Sequence, residues 1–475
     1  MFKYINTDFY LQGGTLREAI KKINGSGLSS IVLVNKYCEL VKVISDGDIR
    51  RHLNNGGVLD DKCEKVRVPS LQKVINEPLD VQSARNIFKK NPSVNLLPVI
   101  SKSGRVVNIL TRKSLHDLIP ISVPYLEKED IINCQSALAD NWISSKGSFI
   151  TQFEDNLSEV LGGNVLTVTN GTVAIELALK ALGLTNGAKV GVPDFTFAAT
   201  INAVLNVGAV PVILPVDKHS WKITSSYDQL IDCKLDGIVL VNIYGLQYSS
   251  SEIKKFKLSC NTVVVDSAEA LAPNIYRNKI HIDAITYSFF ANKILTTGEG
   301  GAVGFTSKEA YQKSLIIRDH GMSVKTKYWH DHVGSNYRMT NLQAALGSNQ
   351  ILRLNDILKK RKYIFNLYND QFDNHKCKPI LHQNMKLNGS PWLYTVQFDE
   401  AINVSDILSY LMSNLIEARP VFYPLSAMKI YEMYVPSNFE PCYRNISGIS
   451  LPTFIGLDDE KITKITSVLV NYFNE

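Results

Sequence analysis

A lysine just past an apolar run is the residue here with the most chemistry at hand. Ala284-Ile285-Thr286-Tyr287-Ser288-Phe289-Phe290 has the composition of a buried strand, and Ala291-Asn292-Lys293 follows directly. An amine held there among small residues is placed to form an imine with an aldehyde cofactor. Ser288 can reach a phosphate at the same strand end, and a glycine-rich turn, Gly298-Glu299-Gly300-Gly301, leads into a further strand. Thr262-Val263-Val264-Val265-Asp266 reads as a parallel strand with Asp266 at its C-terminal end, where open α/β sheets bind ligands. A carboxylate buried there needs a positive partner. In Val168-Thr169-Asn170-Gly171-Thr172 a β-rich stretch turns at Asn-Gly into a helix that is apolar almost all round. Free N–H groups at that helix start, with the Thr172 hydroxyl, can hold a phosphate without a lysine. Taken singly, each segment also has an ordinary reading: a solvated loop lysine, an aspartate capping a helix, a common Asn-Gly turn.

The elements that must position these groups follow from periodicity. Strand-like and helical stretches alternate from about residue 140 to 365, which predicts an α/β architecture: a mixed, mostly parallel sheet with helices on both faces. A polar turn, Val333-Gly334-Ser335-Asn336-Tyr337-Arg338-Met339-Thr340, opens a further long helix. A smaller α/β part follows, with Trp392-Leu393-Tyr394-Thr395-Val396-Gln397-Phe398 as a strand and Ile462, Ile465, Leu469 and Tyr472 on one face of the last helix.

The chain has 475 residues, 45% hydrophobic and 20% charged, which excludes a disordered or collagen-like polymer and leaves room for about three domains. A net charge of +6 over this length argues for neither nucleic acid nor a membrane surface. No apolar run reaches the roughly 18 residues of a membrane span, and Met1-Phe2-Lys3-Tyr4-Ile5-Asn6-Thr7-Asp8 lacks the apolar stretch of a secretory signal. The cysteines, at 38, 63, 134, 233, 260, 377 and 442, never form a C-x-x-C pair; they read as reduced thiols in a cytoplasmic protein, with no metal site.

Residues 1–118 hold a degenerate repeat. Thr15 and Glu18 have capping-box spacing, and Leu16, Ala19, Ile20 and Ile23 follow at helical spacing. Two strands come next, Ile31-Val32-Leu33-Val34 and Leu40-Val41-Lys42-Val43-Ile44, then Ser45-Asp46-Gly47-Asp48. The order recurs about 66 residues later, aligning Ser45 with Thr111 and Asp48 with Ser114. Paired units of this kind resemble tandem cystathionine-β-synthase (CBS) domains, an α+β module. That resemblance implies an adenine nucleotide held by Ser45, Asp48 and Thr111, and the second copy departs from the pattern in having Ser114 where the first has the acid. The other reading is that the pair only packs and dimerises. Ile119-Pro120-Ile121-Ser122-Val123-Pro124 reads as an extended linker over 119–124, followed by a large domain over 125–365 and a small one over 366–475.

Over about residues 122–475 the ordered motifs, with Asn141-Trp142-Ile143-Ser144-Ser145-Lys146-Gly147 and Arg419-Pro420-Val421-Phe422-Tyr423-Pro424-Leu425, resemble the DegT/DnrJ/StrS-type nucleotide-sugar aminotransferases. The resemblance implies pyridoxal 5′-phosphate and the type I aminotransferase fold. It implies Lys293 as the Schiff-base lysine, Asp266 as partner of the ring nitrogen, Gly171, Thr172 and Ser288 at the phosphate, Phe197 stacked on the ring and Glu269 near its hydroxyl. Asn336 corresponds to a residue reaching the phosphate of a neighbouring subunit, so the expected partners are a second copy of the chain, a nucleotide sugar and an amino-acid donor. Relatives that dehydrate the sugar carry His where Lys293 stands, so a lysine argues for amination.

The motifs around Lys293 and Asp266, with Tyr328-Trp329-His330, are most similar to those of perosamine synthases, which aminate C4 of GDP-4-keto-6-deoxymannose for surface polysaccharide. Legionaminic-acid-type enzymes using UDP sugars share much of the pattern. Trp329, His330 and Arg419 are the candidate sugar contacts. Phe290, Ala272-Pro273 and Ser426 depart from common family residues. A non-catalytic regulator on the same fold, or a nucleotide sensor carrying an inactive enzyme unit, are the rival expectations.

Overall fold

The computed structural model describes residues 10–68, 73–76, 80–224, 227–274, 281–323, 325–375, 380–382, 390–398, 402–437 and 447–474. The opening residues 1–8, Cys377 and Cys442 lie outside them. The chain forms two compact units, one of Met1–Ile119 with Ser405–Glu417 and one of Pro120–Val404 with Ala418–Glu475.

The first unit runs β1 (Tyr10–Gln12), α1 (Leu16–Ser26), β2 (Ser30–Val34), β3 (Leu40–Ser45), α2 (Asp46–Asn54), then β4 (Ile75–Asn76), α3 (Val81–Lys90), β5 (Leu96–Ile100), β6 (Val106–Thr111) and α4 (Arg112–Asp117). Each half makes a three-stranded sheet, in the orders β1-β2-β3 and β4-β5-β6, with a parallel pair followed by an antiparallel hairpin. The repeat extends to its irregularities, since both hairpins slip register at equivalent positions, between Leu33 and Val34 and between Val99 and Ile100. Val32 and Val34 meet Leu96, Val106 and Ile109 in one shared apolar cluster, so neither half buries its sheet alone. Residues 405–417, inside the stretch read as C-terminal domain, belong to this unit because Ile119 exchanges backbone hydrogen bonds with Leu415 and Glu417.

The second unit begins with α5 (Lys128–Ala139) and α6 (Ser148–Leu161), and its sheet is built from β7 (Asn164–Val168), β8 (Lys189–Pro193), β9 (Val210–Leu214), β10 (Gly237–Val241), β11 (Thr262–Asp266), β12 (Ala284–Ser288) and β13 (Gly301–Phe305). Helix α7 (Gly171–Ala181) follows β7, and α8 (Ala199–Asn206) follows β8. The strand order is β7-β13-β12-β11-β10-β8-β9, and only β13 runs against the rest. Continuous Val/Ile/Leu runs form these strands because both sheet faces are dry. Val263 and Val265 join one core cluster, and Val264 joins the other. Helix α6 supplies Phe153 and Leu157 to the first face, while α7 supplies Ala174, Ile175, Leu177, Ala178 and Leu179 to the second. A four-stranded antiparallel sheet stands apart, containing β14 (Tyr394–Phe398), which starts two residues later than the sequence reading has it.

Register decides what the main sheet can present. Gly301 pairs with Ser288 on one side and with Val168 on the other, and Asp266 pairs with Thr286. Because β7, β11 and β12 are parallel, their C-terminal ends share one edge, bringing the Asn170-Gly171 turn, Asp266 and Ser288 together.

One ion pair fixes the entry to this unit. Asp130 on α5 is fully buried and takes Arg353 Nη1 and Nη2 on its two oxygens at 3.1 and 2.8 Å. Asp130→Ala removes the buried partner of that guanidinium and should destabilise the unit by about 3 kcal/mol, the low end for a broken buried pair because Arg353 keeps some solvent and its ion pair with Glu127. The check is the denaturant midpoint of the unfolding transition, and an unchanged midpoint would contradict it.

Candidate active site

At that sheet edge lies a cavity of about 620 Å³, and Lys293 is the one lysine on its wall among the described residues. The amine sits in the turn after β12, its backbone N–H closing on the Phe290 carbonyl at 2.9 Å. Nζ lies 3.8 Å from Glu269 Oε1 and 4.0 Å from the centroid of the Trp392 ring. Burial pushes this amine below the ordinary lysine range, and Glu269 and Asp266 pull it back up.

Asp266 is buried at the end of β11. The Ala268 N–H donates to its Oδ1 at 3.0 Å and the Thr200 hydroxyl to its Oδ2 at 2.9 Å. No helix follows, so the helix-cap alternative does not hold. Burial lifts this carboxyl above its usual range against those two hydrogen bonds and the nearby amine. Glu269 accepts the Tyr244 N–H at 2.6 Å. Tyr244 is buried with φ of 47°, a left-handed conformation that a bulky aromatic adopts only when its surroundings force it.

Burial lifts the Glu269 carboxyl from an ordinary 4.5 to about 7. The folded chain therefore holds a proton there that the unfolded chain has released between those values. Its stabilising contribution is complete below about pH 4.5 and is lost as pH rises through about 7. In the cofactor-free protein, Glu269→Gln should remove that part of the slope. Urea midpoints measured between about pH 5 and 7.5 check this, and parallel slopes in the two proteins would contradict it.

Asn170 caps α7 by accepting the Val173 N–H at 3.0 Å, leaving the amides of Gly171 and Thr172 ahead of the helical ladder. Gly171 has no room for a side chain, since a Cβ there would stand 2.8 Å from Ser288 Cβ. The close approach brings two amides and two hydroxyls into one cradle on the cavity wall, a donor set suited to a phosphate. Lys293, Asp266 and this cradle fit pyridoxal phosphate: an amine for its aldehyde, a carboxylate for a protonated ring nitrogen, and neutral donors for its phosphate.

Phe197 also lines the cavity, with its ring 5.5 Å from that of Phe422. Of the sugar-contact candidates, Arg419 is on the wall. Trp329 and His330 are not; both are exposed, with Trp329 Nε1 on Asp331 and His330 Nδ1 on the His320 carbonyl. Asn336 is exposed, off the cavity of its own chain, and accepts from Arg338 Nε at 3.0 Å. In the first unit, the Ser45 hydroxyl donates to Asp48 Oδ2 at 2.5 Å and Arg51 pairs with the same carboxylate, so both residues are engaged in capping α2. Thr111 caps α4 in the same way, with Ser114 in place of the acid. The cysteines at 38, 63, 134, 233 and 260 are free thiols. Among the described residues no helix is long and apolar enough to cross a membrane.

Thr200, Tyr244 and Trp392 escaped the sequence reading. Thr200 is 66 residues from its carboxylate, and Trp392 is 100 residues from Asn292, whose carbonyl its indole N–H reaches. Neither has a local signal beyond its own residue type.

The comparisons with known proteins agree with this geometry. Residues 124–470 match the DegT/DnrJ/EryC1/StrS aminotransferase family. The chain is 33% identical over 369 residues to a GDP-perosamine synthase of Vibrio cholerae, covering 75% of this chain and 100% of the relative. It is 34% identical over 373 residues to one of Escherichia coli O157:H7, covering 75% and 99%. Among solved structures, Helicobacter pylori PseC, an aminotransferase involved in the biosynthesis of pseudoaminic acid, superimposes with a TM-score of 0.66 at 23% identity, covering 75% of this chain and 99% of that one. An aminotransferase from Psychrobacter cryohalolentis gives 0.65 at 23%, covering 74% and 98%. The chain belongs to the DegT/DnrJ/EryC1/StrS aminotransferase family and is a pyridoxal-phosphate-dependent enzyme.

Proposed function

We propose that the enzyme transfers an amino group, with glutamate as donor, to C4 of a nucleotide-linked 4-keto-6-deoxysugar. The acceptor in this reading is GDP-4-keto-6-deoxymannose, the product is GDP-perosamine, and the setting is surface-polysaccharide synthesis in the cytoplasm. The observation that carries it is the match to GDP-perosamine synthases along essentially their whole length.

Pyridoxal phosphate, when bound, supplies the electron sink that lets a proton leave the donor's α-carbon. With that group bound, Lys293 Nζ would take the proton from the donor's α-carbon and would return one in the reverse sense on the sugar. Asp266 would keep a proton on its ring nitrogen, and Glu269 and Phe197, on the same cavity wall, would hold the ring. Gly171, Thr172 and Ser288 would hold its phosphate. Asn336 serves the site of a second copy in a homodimer, which accounts for its place away from its own cavity, and Trp329 and His330 in the same loop region are assigned to the shared site.

The first unit is read as a CBS-type pair that tunes assembly or activity by taking an adenine nucleotide near Ser45, Asp48 and Thr111. A ligand there has to displace the Ser45–Asp48 hydrogen bond. Calorimetry on the full chain is the apt test, because residues 405–417 belong to this unit and a fragment of residues 1–118 lacks them.

A second reading has support from one relative, a Campylobacter jejuni UDP-4-amino-4,6-dideoxy-N-acetyl-beta-L-altrosamine transaminase, 31% identical over 291 residues. Assay of GDP- and UDP-linked 4-keto-6-deoxysugars side by side decides between them. Preference for the GDP sugar upholds the proposal; turnover of UDP sugars alone transfers it to the second reading, and turnover of neither rejects both.

A further inference from the structure

Trp392 is held more firmly than a core tryptophan needs. It is 4% exposed and its indole N–H donates to the Asn292 carbonyl at 2.8 Å, tying the ring to the residue just before Lys293. Its own carbonyl accepts Arg361 Nη1 at 2.7 Å. Arg361 is 3% exposed, its Nε has no hydrogen-bond partner, and no carboxylate pairs with it among the described residues. Burying a guanidinium for one carbonyl bond is unfavourable, so simple packing does not account for it. The ring also stacks on Tyr244 at 5.8 Å and 18°. Tyr244 in turn stacks on Phe422 and gives its strained N–H to Glu269. One rigid assembly thus presents two groups to Nζ, an indole face at 4.0 Å and a carboxylate at 3.8 Å.

We infer that Trp392 is a positioning residue for the Lys293 amine, its indole face holding Nζ at the reacting edge of the cavity and favouring the protonated nitrogen. A lysine stem has four rotatable bonds, and proton transfer between two adjacent carbons needs one narrow range of them. The ring closes off one side of that range while its π face attracts positive charge. The other charged groups facing the amine are Asp266 and Glu269, with Glu299 and Arg419 farther along the same wall.

The inference rests on Lys293 being the cofactor-bearing amine, and the experiment separates the two. The holoenzymes of the parent, Trp392→Leu and Trp392→Phe are reduced with borohydride and digested, and the peptide containing residue 293 is weighed. Their visible absorbance is titrated with pH, and kcat and KM for the keto-sugar are measured, with circular dichroism as the check on folding. Trp392→Leu should lower the pH of the absorbance transition by up to about one unit. It should lower kcat about tenfold with KM for the sugar nearly unchanged. Trp392→Phe keeps a π face and should recover at least half of both effects. A labelled parent whose Trp392→Leu variant titrates and turns over like the parent overturns the inference alone. A phenylalanine variant no better than the leucine one overturns the π-face role. A label on another residue overturns the lysine assignment and the inference with it.

Discussion

Lys293→Ala is expected to lower turnover by about three orders of magnitude or more while leaving the fold intact. Positioned proton transfer by one group is worth roughly 10²–10⁴-fold, and in the proposed function the same amine also carries the cofactor's attachment. No second amine can take its place, because among the described residues Lys293 is the one lysine that lines the site. Folding should not suffer. Burial already disfavours the charged amine, so alanine removes a desolvation cost along with the contacts to Trp392 and Glu269, and Glu269, whose carboxyl burial lifts to about 7, can stay neutral by keeping its proton. Steady-state turnover of a keto-sugar, borohydride labelling and a denaturant midpoint form the check. Residual activity above about one-hundredth of the parent, or a label that persists on the variant, would contradict the role of this residue.

Asp266→Asn should cost about 10²–10³ in turnover, roughly 3–4 kcal/mol, the scale of a single preorganised electrostatic contact to developing charge. The substitution is nearly isosteric. An asparagine oxygen still accepts the Ala268 N–H, and its amide donates to the Thr200 hydroxyl in place of accepting from it. What disappears is the negative charge that, in the proposed function, holds a proton on the ring nitrogen, so the electron sink would weaken while attachment at Lys293 would survive. Borohydride labelling should therefore be normal and turnover low. A variant within tenfold of the parent would remove Asp266 from the chemistry.

Much of this site was legible in the residues because its pieces are local. A β-branched run that ends in aspartate, an Asn-Gly turn entering an apolar helix, and a lysine five residues past Ser288 each show in a short window. Their local meaning came from strand and cap preferences, and Asn170 does cap α7. The doubling of the first unit was equally plain, as was the capping box at Thr15, whereas the capping of α2 by Ser45 and of α4 by Thr111 came from the structure. The partners of the catalytic groups were hidden. Thr200, Tyr244, Trp392 and Arg361 look like ordinary helix, turn and core residues until the chain is folded. The return of residues 405–417 to the first unit has no local sign either, since backbone hydrogen bonds at Ile119 produce it.

The sequence by itself determined the chemical kinds present, an amine, two carboxylates and a phosphate-binding turn, because residue type and short-range backbone preference are properties of a few neighbouring positions. Only the tertiary structure decided their environment. Parallel β7, β11 and β12 bring separate segments to one sheet edge, the reversed β13 sets Gly301 between two of them, and burial moves Lys293 and Glu269 away from their ordinary proton affinities. Those effects depend on distance and dielectric between groups far apart in the chain, which no local window of residues contains.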